Sequence, residues 1–315
     1  MAHPTLLDRH LVFVTGKGGT GKSTVSAALA VLAARAGRRV LLCEVNAPQG
    51  RAGPLLAGQP GDGALAELYP GVHALNVHPG EAMSEYGRMV LRFRAVYHAV
   101  FENRLVRYFL RVIPSLAELV VLGKILHEAR STRPGGGPRW DLVLVDAPST
   151  GHAVQLLRVP SALVDAVPAG PLRHDAEWME RLLVDAVRTA VVLVTLPEEM
   201  AVNEVIELDA QVRGVLGMAR AELFVNALSP SAFAPEEGLS LTRAAAAPFP
   251  LGPAARAAEL ALLRAEAGRR QLARARSALD LPTTLIPLFP SAEWGKAQVE
   301  QVAEAIAAGW AEEGR

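Results

Sequence analysis

A glycine-rich segment near the N-terminus constrains this chain more than any other feature. It reads GKGGTGKST over residues 16–24, after the apolar run LVFV and before a stretch with the alanine and leucine content of a helix. The spacing G-x-x-x-x-G-K-[ST] is met by Gly16, Gly21, Lys22 and Ser23. Such a loop curls so that successive backbone N–H groups point at phosphate oxygens, and the helix that follows favours anions. The segment therefore predicts a nucleotide phosphate site on an α/β fold.

Each position of this phosphate loop has a predicted role. The residues predicted to bind the nucleotide are Gly16, Gly18, Gly19, Thr20, Gly21, Lys22, Ser23 and Thr24. We expect Lys22 to reach the β- and γ-phosphates as a catalytic cation, and the Ser23 hydroxyl to ligate Mg²⁺. Asp146 ends the apolar sequence LVLVD and is the predicted second metal ligand, because a carboxylate at a strand end beside the loop can hold Mg²⁺. ATP and Mg²⁺ are therefore the expected ligands.

Buried strands that alternate with helical sequence predict a doubly wound, mostly parallel sheet flanked by helices, as in P-loop NTPases. The predicted strands cover residues 11–14, 39–45, 141–145, 190–195, 223–226 and 285–288, while residues 47–80, rich in Gly and Pro, are expected to be irregular. Residues 1–315 form one predicted domain, with an inserted helical subdomain at 81–130. The apolar stripe of that subdomain is either core or a surface for a client protein. Residues 243–278 are rich in Ala and Arg and predict one or two surface helices.

Charge and cysteine content exclude several kinds of partner and site. The chain has 32 basic and 32 acidic residues, so no bulk basic field draws it to nucleic acid or to an anionic membrane. The C-terminal residues 297–315 are net acidic, which excludes a basic amphipathic membrane anchor there. Cys43 is the single cysteine, so a zinc site or an arsenite site built from several thiols is excluded, and we expect it to be buried in a strand. Without an uncharged apolar run of about 18 residues, the expected location is cytoplasmic.

Lys17 makes the loop unusual, because it follows Gly16 directly. The sequence GKGGTGKST resembles the deviant phosphate loop of the ParA/MinD, nitrogenase iron protein and arsenical-pump ATPases. The segment DAPSTGHAVQLL from Asp146 resembles the switch of the arsenical-pump (ArsA) and guided-entry tail-anchored-protein targeting family. The resemblance implies an ATP-closed dimer in which Lys17 acts catalytically on the partner's nucleotide. It also implies that Asn226 and Pro287 contact the adenine base.

The first switch departs from the family pattern. Where the family reads roughly STDPAH, this chain reads EVNAPQ, so Asn46 stands in place of the aspartate that activates water. An asparagine can orient a water molecule but cannot accept its proton, and losing a general base typically costs about 10²–10⁴ in rate. Glu44, two residues earlier on the same strand face, is an alternative proton acceptor. We therefore expect slow hydrolysis, or hydrolysis only with a partner subunit that supplies a complete switch.

Several functions stay open on the sequence alone, including that of a small-molecule kinase of related fold, although no residue marks an acceptor site. The leading one is a Mg-ATP-dependent ATPase that works as a nucleotide-switched dimer, of two copies or with a paralogous subunit. Its helical subdomain would bind a protein client. The family resemblance implies that this client is a hydrophobic segment or a membrane protein. The alternatives are an ATP-binding subunit of a heterodimer that hydrolyses little, and a positioning ATPase of the ParA/MinD type. The expected partners are a second ATPase subunit and a client, with no nucleic acid and no direct membrane anchor.

Overall fold

The computed structural model describes residues 6–48, 50–59, 63–90, 116–230, 233–312 and 314. An eight-stranded sheet lies at its centre, in the order β3-β4-β2-β5-β1-β6-β7-β8. Every pairing is parallel except that between β3 and β4, which confirms the predicted mostly parallel α/β sheet. The strands are β1 (Leu11–Gly16), β2 (Val40–Val45), β3 (Ala66–Tyr69), β4 (Val72–Val77), β5 (Leu142–Ser149), β6 (Thr189–Thr195), β7 (Arg220–Leu228) and β8 (Thr283–Pro287).

Helices cover both faces of the sheet, which is why its central strands read as continuous apolar runs. The described helices are α1 (Lys22–Arg35), α2 (Pro79–Val90), α3 (Leu116–Arg130), α4 (Thr150–Ala166), α5 (Pro171–Val184), α6 (Glu199–Gly214), α7 (Gly238–Ala244), α8 (Leu251–Leu279) and α9 (Lys296–Glu312). Helices α1 and α9 pack on one face. Helices α3 to α6 and the C-terminal part of α8 pack on the other. None of the described helices is long and apolar enough to cross a membrane.

Two sequence expectations need correction or restriction. Residues 47–80 are not simply irregular, because a single π-helical turn (Gly53–Ala57), β3 and β4 lie there. Strand β4 was missed because His73 and Asn76 interrupt its apolar pattern, yet it is fully paired with β2. The predicted subdomain at 81–130 is helical in its described flanks, α2 and α3. Its central part, residues 91–115, lies outside the described residues, and with it most of the predicted apolar stripe.

The parallel strands bring the predicted site residues to one edge of the sheet. Strands β1, β2 and β5 are neighbours, and β1 also pairs with β6. In register, Val14 lies beside Asp146, and Glu44 lies beside Asp146 from the other side. The carboxyl ends of these strands therefore converge where β1 passes into the phosphate loop and α1, which is the usual ligand crevice of open α/β sheets.

Candidate functional site

The loop between β1 and α1 has room only for glycine at two positions. A Cβ atom on Gly16 would lie 2.0 Å from the carbonyl oxygen of Val194 on β6. A Cβ atom on Gly21 would lie 2.2 Å from Nδ2 of Asn226, and Gly21 has φ of 88°, a left-handed conformation that side chains disfavour. Close packing against β6 and β7 therefore fixes the path of the loop.

Hydrogen bonds inside the loop hold Lys22 in place. The Lys22 Nζ donates to the carbonyl oxygen of Lys17 at 3.0 Å, and the buried Thr20 hydroxyl donates to the same oxygen at 2.9 Å. Burial lowers the pKa of Lys22, the charge of Asp146 opposes that shift, and Arg51 adds to it. The ammonium group thus lies within the loop that is predicted to hold the phosphates.

Ser23 and Asp146, the two predicted metal ligands, are in direct contact. The Ser23 hydroxyl donates to Oδ2 of Asp146 at 2.6 Å. The other carboxylate oxygen, Oδ1, is buried and has no hydrogen-bond partner among the described residues. Burial raises the pKa of Asp146 to about 6, against the Ser23 hydrogen bond and the charge of Lys22, which lower it. An unsatisfied buried carboxylate oxygen beside a hydroxyl fits a hard dication such as Mg²⁺.

Asn226 lies against the phosphate loop from the carboxyl end of β7. Its Nδ2 donates to the carbonyl oxygen of Thr20 at 2.9 Å, so the side chain braces the loop. Pro287 ends the neighbouring strand β8 in register with Leu228 and is exposed. Both residues thus sit at adjacent strand ends on the edge that carries the loop, and their contact with adenine stays a prediction.

Asn46 is directed away from Ser23 and Asp146, the predicted metal ligands. It follows β2 with φ of 47°, and its Oδ1 lies 3.3 Å from Nδ1 of His78, which directly follows β4. Because β4 and β5 flank β2 on opposite sides, this contact holds the amide on the side away from Asp146. The structure therefore places Asn46 at the site edge, but does not bring it together with Ser23 and Asp146.

Glu44 anchors the segment after β2. Its side chain is buried, and Oε1 accepts hydrogen bonds from the backbone N–H groups of Arg51 at 2.5 Å and Ala52 at 3.1 Å. Two backbone donors on one carboxylate oxygen favour a positioning role for Glu44 over that of a free proton acceptor. Glu44 also raises the pKa of Asp146, its neighbour across the strands.

Several residues that sequence reasoning did not single out complete this edge. The buried Asn76 clasps Ala47, accepting from its N–H at 3.1 Å and donating to its carbonyl at 2.6 Å. His78 and Asn76 are polar residues at the end of a strand, which is the signal that could have revealed them. Arg51 lies near enough to shift the pKa values of both Lys22 and Asp146. No local pattern marks Arg51.

Lys17, the unusual lysine of the loop, is paired within its own chain. Its Nζ lies 2.7 Å from Oε1 of Glu204 on α6, and each side chain is about one-third exposed, at 31% and 33%. Cys43, the single cysteine, is buried in β2 as predicted. Burial raises the pKa of its thiol, so the reactive thiolate is disfavoured.

Comparison with known proteins shows a family match over the part of the chain that contains the loop and Asp146. A model of the anion-transporting ATPase family, ArsA, matches residues 9–168, just over half of the 315 residues. The ATPase BagA of Mycobacterium tuberculosis (strain H37Rv) is 37% identical over 201 residues, 62% of this chain and 59% of that protein.

More distant relatives carry similar stretches. An arsenical pump-driving ATPase of Escherichia coli is 26% identical over 247 residues, 73% of this chain and 41% of that protein. The ATPase GET3 of Kluyveromyces lactis is 24% identical over 158 residues, 48% of this chain and 45% of that protein. The matched stretches thus span less than two thirds of the length of each of these relatives.

Proposed function

Because the chain belongs to the anion-transporting ATPase (ArsA) family, we propose that it binds Mg-ATP at the phosphate loop and hydrolyses the bond between the β- and γ-phosphates. One observation carries this proposal: the Ser23 hydroxyl meets the Asp146 carboxylate at 2.6 Å, with an unsatisfied Asp146 oxygen beside it and Lys22 within the same loop. A cation and two hard oxygen ligands at the start of a helix are what a Mg-nucleotide requires.

The residues of the site divide the work between binding and charge stabilisation. Backbone N–H groups of the loop would contact the phosphates, and Lys22 would exchange its bond to the Lys17 carbonyl for phosphate oxygens. Ser23 and Asp146 would hold Mg²⁺, which supplies charge neutralisation at the β- and γ-phosphates when bound. Asn226, already bonded to Thr20, would keep the loop in shape beside the base.

We propose that hydrolysis is slow. Asn46 cannot accept a proton from water, and its amide is engaged by His78. Glu44 is occupied by two backbone donors. Neither residue is therefore a ready general base in this arrangement, and turnover depends on positioning and on the cations Lys22 and Lys17.

The proposed working unit is a nucleotide-switched dimer, with a second copy or a paralogous subunit. Lys17 is one-third exposed at the edge of the site, and reaching a partner's nucleotide requires that it leave Glu204. The segment from Asn46 to Ala52 is tied to β4 through Asn76 and His78, and α2 begins at Pro79, immediately after His78. Nucleotide-driven movement of this segment would therefore pull directly on the start of the proposed client-handling subdomain.

A second candidate function is that of an ATP-binding subunit that hydrolyses little within a heterodimer. The contact between Asn46 and His78 favours it, because this contact holds the switch away from Asp146. Sizing the purified chain with ATP, alone and mixed with a paralogous subunit, separates the two. Turnover that appears only in the mixture supports the second candidate.

Steady-state ATP turnover tests the proposed function. We expect slow, Mg²⁺-dependent release of phosphate by the wild-type chain and its loss in Lys22→Ala. Lys296→Ala is the matched control, because Lys296 is an exposed lysine on α9 that stacks over Tyr69, remote from the loop. Equal turnover in the wild type and Lys22→Ala would show that the loop is not the catalytic site.

A further inference from the structure

Helix α8 presents an unusual outer face. It is 29 residues long and rich in Ala, Leu and Arg, which are good helix formers. Its inner side is buried through small and aliphatic residues, including Ala255, Leu262, Ala265 and Ala275. At Gly268 it packs against Pro197, where a Cβ atom would lie at an ordinary contact distance of 3.5 Å. The helix is therefore firmly seated, and its opposite face is fixed in direction.

Four arginines and two leucines share that opposite face. They are Arg256, Leu260, Leu263, Arg264, Arg270 and Arg274, all exposed, and we call them the arginine–leucine stripe. At about 100° of rotation per residue, the six positions fall within an arc of about 120° and extend over about 27 Å of helix. Leu260 and Leu263 are 56% and 53% exposed, so two large apolar side chains lie among the arginines of this face.

The charge of this helix is not neutralised within the described part of the chain. Helix α8 carries six arginines and two glutamates, Glu259 and Glu266, a net charge of 6 − 2 = +4. Both glutamates are partly buried, and Glu259 accepts a hydrogen bond from Thr242. No arginine side chain of α8 forms an ion pair or hydrogen bond with another described residue, whereas Arg39 and Arg220 elsewhere pair with aspartates.

This arrangement costs stability unless an anionic partner is present. Arg270 and Arg274 stand one helical turn apart, and like charges at that spacing disfavour a helix. The exposed Leu260 and Leu263, which lie between Arg256 and Arg264, add apolar surface whose contact with water is unfavourable. A feature that costs free energy in the isolated chain points to a surface that is covered in use.

We propose that the arginine–leucine stripe docks on the headgroup surface of an anionic lipid bilayer. Arginine forks bind lipid phosphates in a bidentate manner, while the interposed leucines insert their side chains at the boundary of the acyl region. This is peripheral docking along one helix, and it stands independently of the nucleotide chemistry proposed above.

Charge and shape favour a lipid surface over other occupants. A second copy that met this face by a two-fold axis would place arginine against arginine, because the stripe contains no carboxylate. A nucleic acid would use the arginines but leave Leu260 and Leu263 in contact with water.

Vesicle flotation with the full chain tests this proposal. The probes are vesicles of phosphatidylcholine alone and of phosphatidylcholine with phosphatidylglycerol, at low and high salt, beside a DNA duplex of random sequence. Binding is expected only to the anionic vesicles, and salt is expected to weaken it. Replacing the four stripe arginines by glutamine should lower the partition coefficient on the order of 10²- to 10³-fold. Leu260→Gln with Leu263→Gln should lower it at unchanged charge.

A charge-matched control keeps the result interpretable. Arg133, Arg158, Arg181 and Arg188 are exposed arginines elsewhere, and replacing these four by glutamine removes the same charge. That variant should bind anionic vesicles like the wild type. Circular dichroism and ATP binding of each variant confirm folding. Binding to neutral vesicles as strong as to anionic ones, equal losses in both arginine variants, or binding to DNA without vesicle binding would each overturn the proposal.

Discussion

Lys17 of the phosphate loop and Glu204 of α6 form an ion pair, with 2.7 Å between Nζ and Oε1. The family resemblance implies that Lys17 contacts the nucleotide of a partner subunit. In this structure Lys17 is instead paired with a residue of its own chain. Both side chains are about one-third exposed, so the pair is screened by solvent and its contribution is on the order of 0.2–1 kcal/mol. It is strong enough to bias the position of Lys17 and weak enough to exchange for phosphate.

Glu204→Gln should therefore release Lys17 and favour the ATP-bound dimer. We expect a dimer dissociation constant lower by up to roughly fivefold, measured by analytical ultracentrifugation with a non-hydrolysable ATP analogue. Glu207→Gln, three residues further along α6, is a charge-matched control and should leave association unchanged. If Glu204→Gln weakens association, the pair supports the dimer instead of competing with it.

Replacing Asp146 by asparagine should stabilise the Mg²⁺-free chain. The pKa of Asp146 is about 6 in the folded chain against an ordinary value of 3.8, so the folded state holds a proton that the unfolded state loses between these values. The free energy of unfolding therefore falls as pH rises through this window. At pH 7, Asp146→Asn should raise it by roughly 1–3 kcal/mol.

Thermal melting of both proteins without Mg²⁺ checks this expectation. The difference in melting temperature should shrink as pH is lowered from about 7 to about 4, because protonated Asp146 resembles asparagine in charge. Mg²⁺ should stabilise the wild type in the presence of ATP more than it stabilises the variant. If Asp146→Asn melts below the wild type at every pH, the claim that the buried Asp146 carboxylate destabilises the Mg²⁺-free chain is contradicted.

Asn46→Asp tests whether the missing proton acceptor limits turnover. Asparagine and aspartate both tolerate the left-handed backbone found at this position, so the substitution should not strain the loop. We expect turnover to rise, by up to about 10²–10⁴ if the carboxylate turns from His78 toward the γ-phosphate. Phosphate release under saturating Mg-ATP measures it. A fast wild-type enzyme that the substitution does not accelerate would contradict slow hydrolysis.

Gly21→Ala should weaken ATP binding by roughly 10- to 100-fold, because its Cβ would overlap the Asn226 amide and its φ of 88° is strained for alanine. Isothermal titration with ATP and Mg²⁺ measures the loss. Gly21→Ala should cost less affinity in an Asn226→Ala background than in the wild type, since the clash is removed while the strain remains. An equal cost in both backgrounds would show that backbone strain alone accounts for the loss.

Local patterns allowed much of the fold and the centre of the site to be predicted. Glycine spacing and apolar runs are short-range signals, so the loop, β1, α1 and Asp146 could be located from sequence. Strand β4 could not, because its apolar pattern is broken by His73 and Asn76 and its identity depends on pairing with β2. The partners of Asn46 and Glu44 depend on how the segment after β2 folds back, which no local pattern specifies.

The Lys17–Glu204 ion pair and the positive charge of α8 could not be predicted from the sequence for a similar reason. Glu204 is distant from Lys17 in the chain, and only the packing of α6 beside the loop brings the two together. Residues 243–278 could be identified as Ala- and Arg-rich surface helices. The neutral total charge nevertheless conceals the arginine–leucine stripe, because composition sums charges that the fold separates.

The Mg²⁺ dependence of ATP binding tests the central claim most directly. Isothermal titration of the wild-type chain with ATP, with and without Mg²⁺, should show binding that Mg²⁺ tightens. Asp146→Ala should still bind ATP through the loop but lose most of that tightening. ATP binding that is equally tight with and without Mg²⁺ in the wild type, or tightening that survives in Asp146→Ala, would contradict a Mg-nucleotide site built on Ser23 and Asp146.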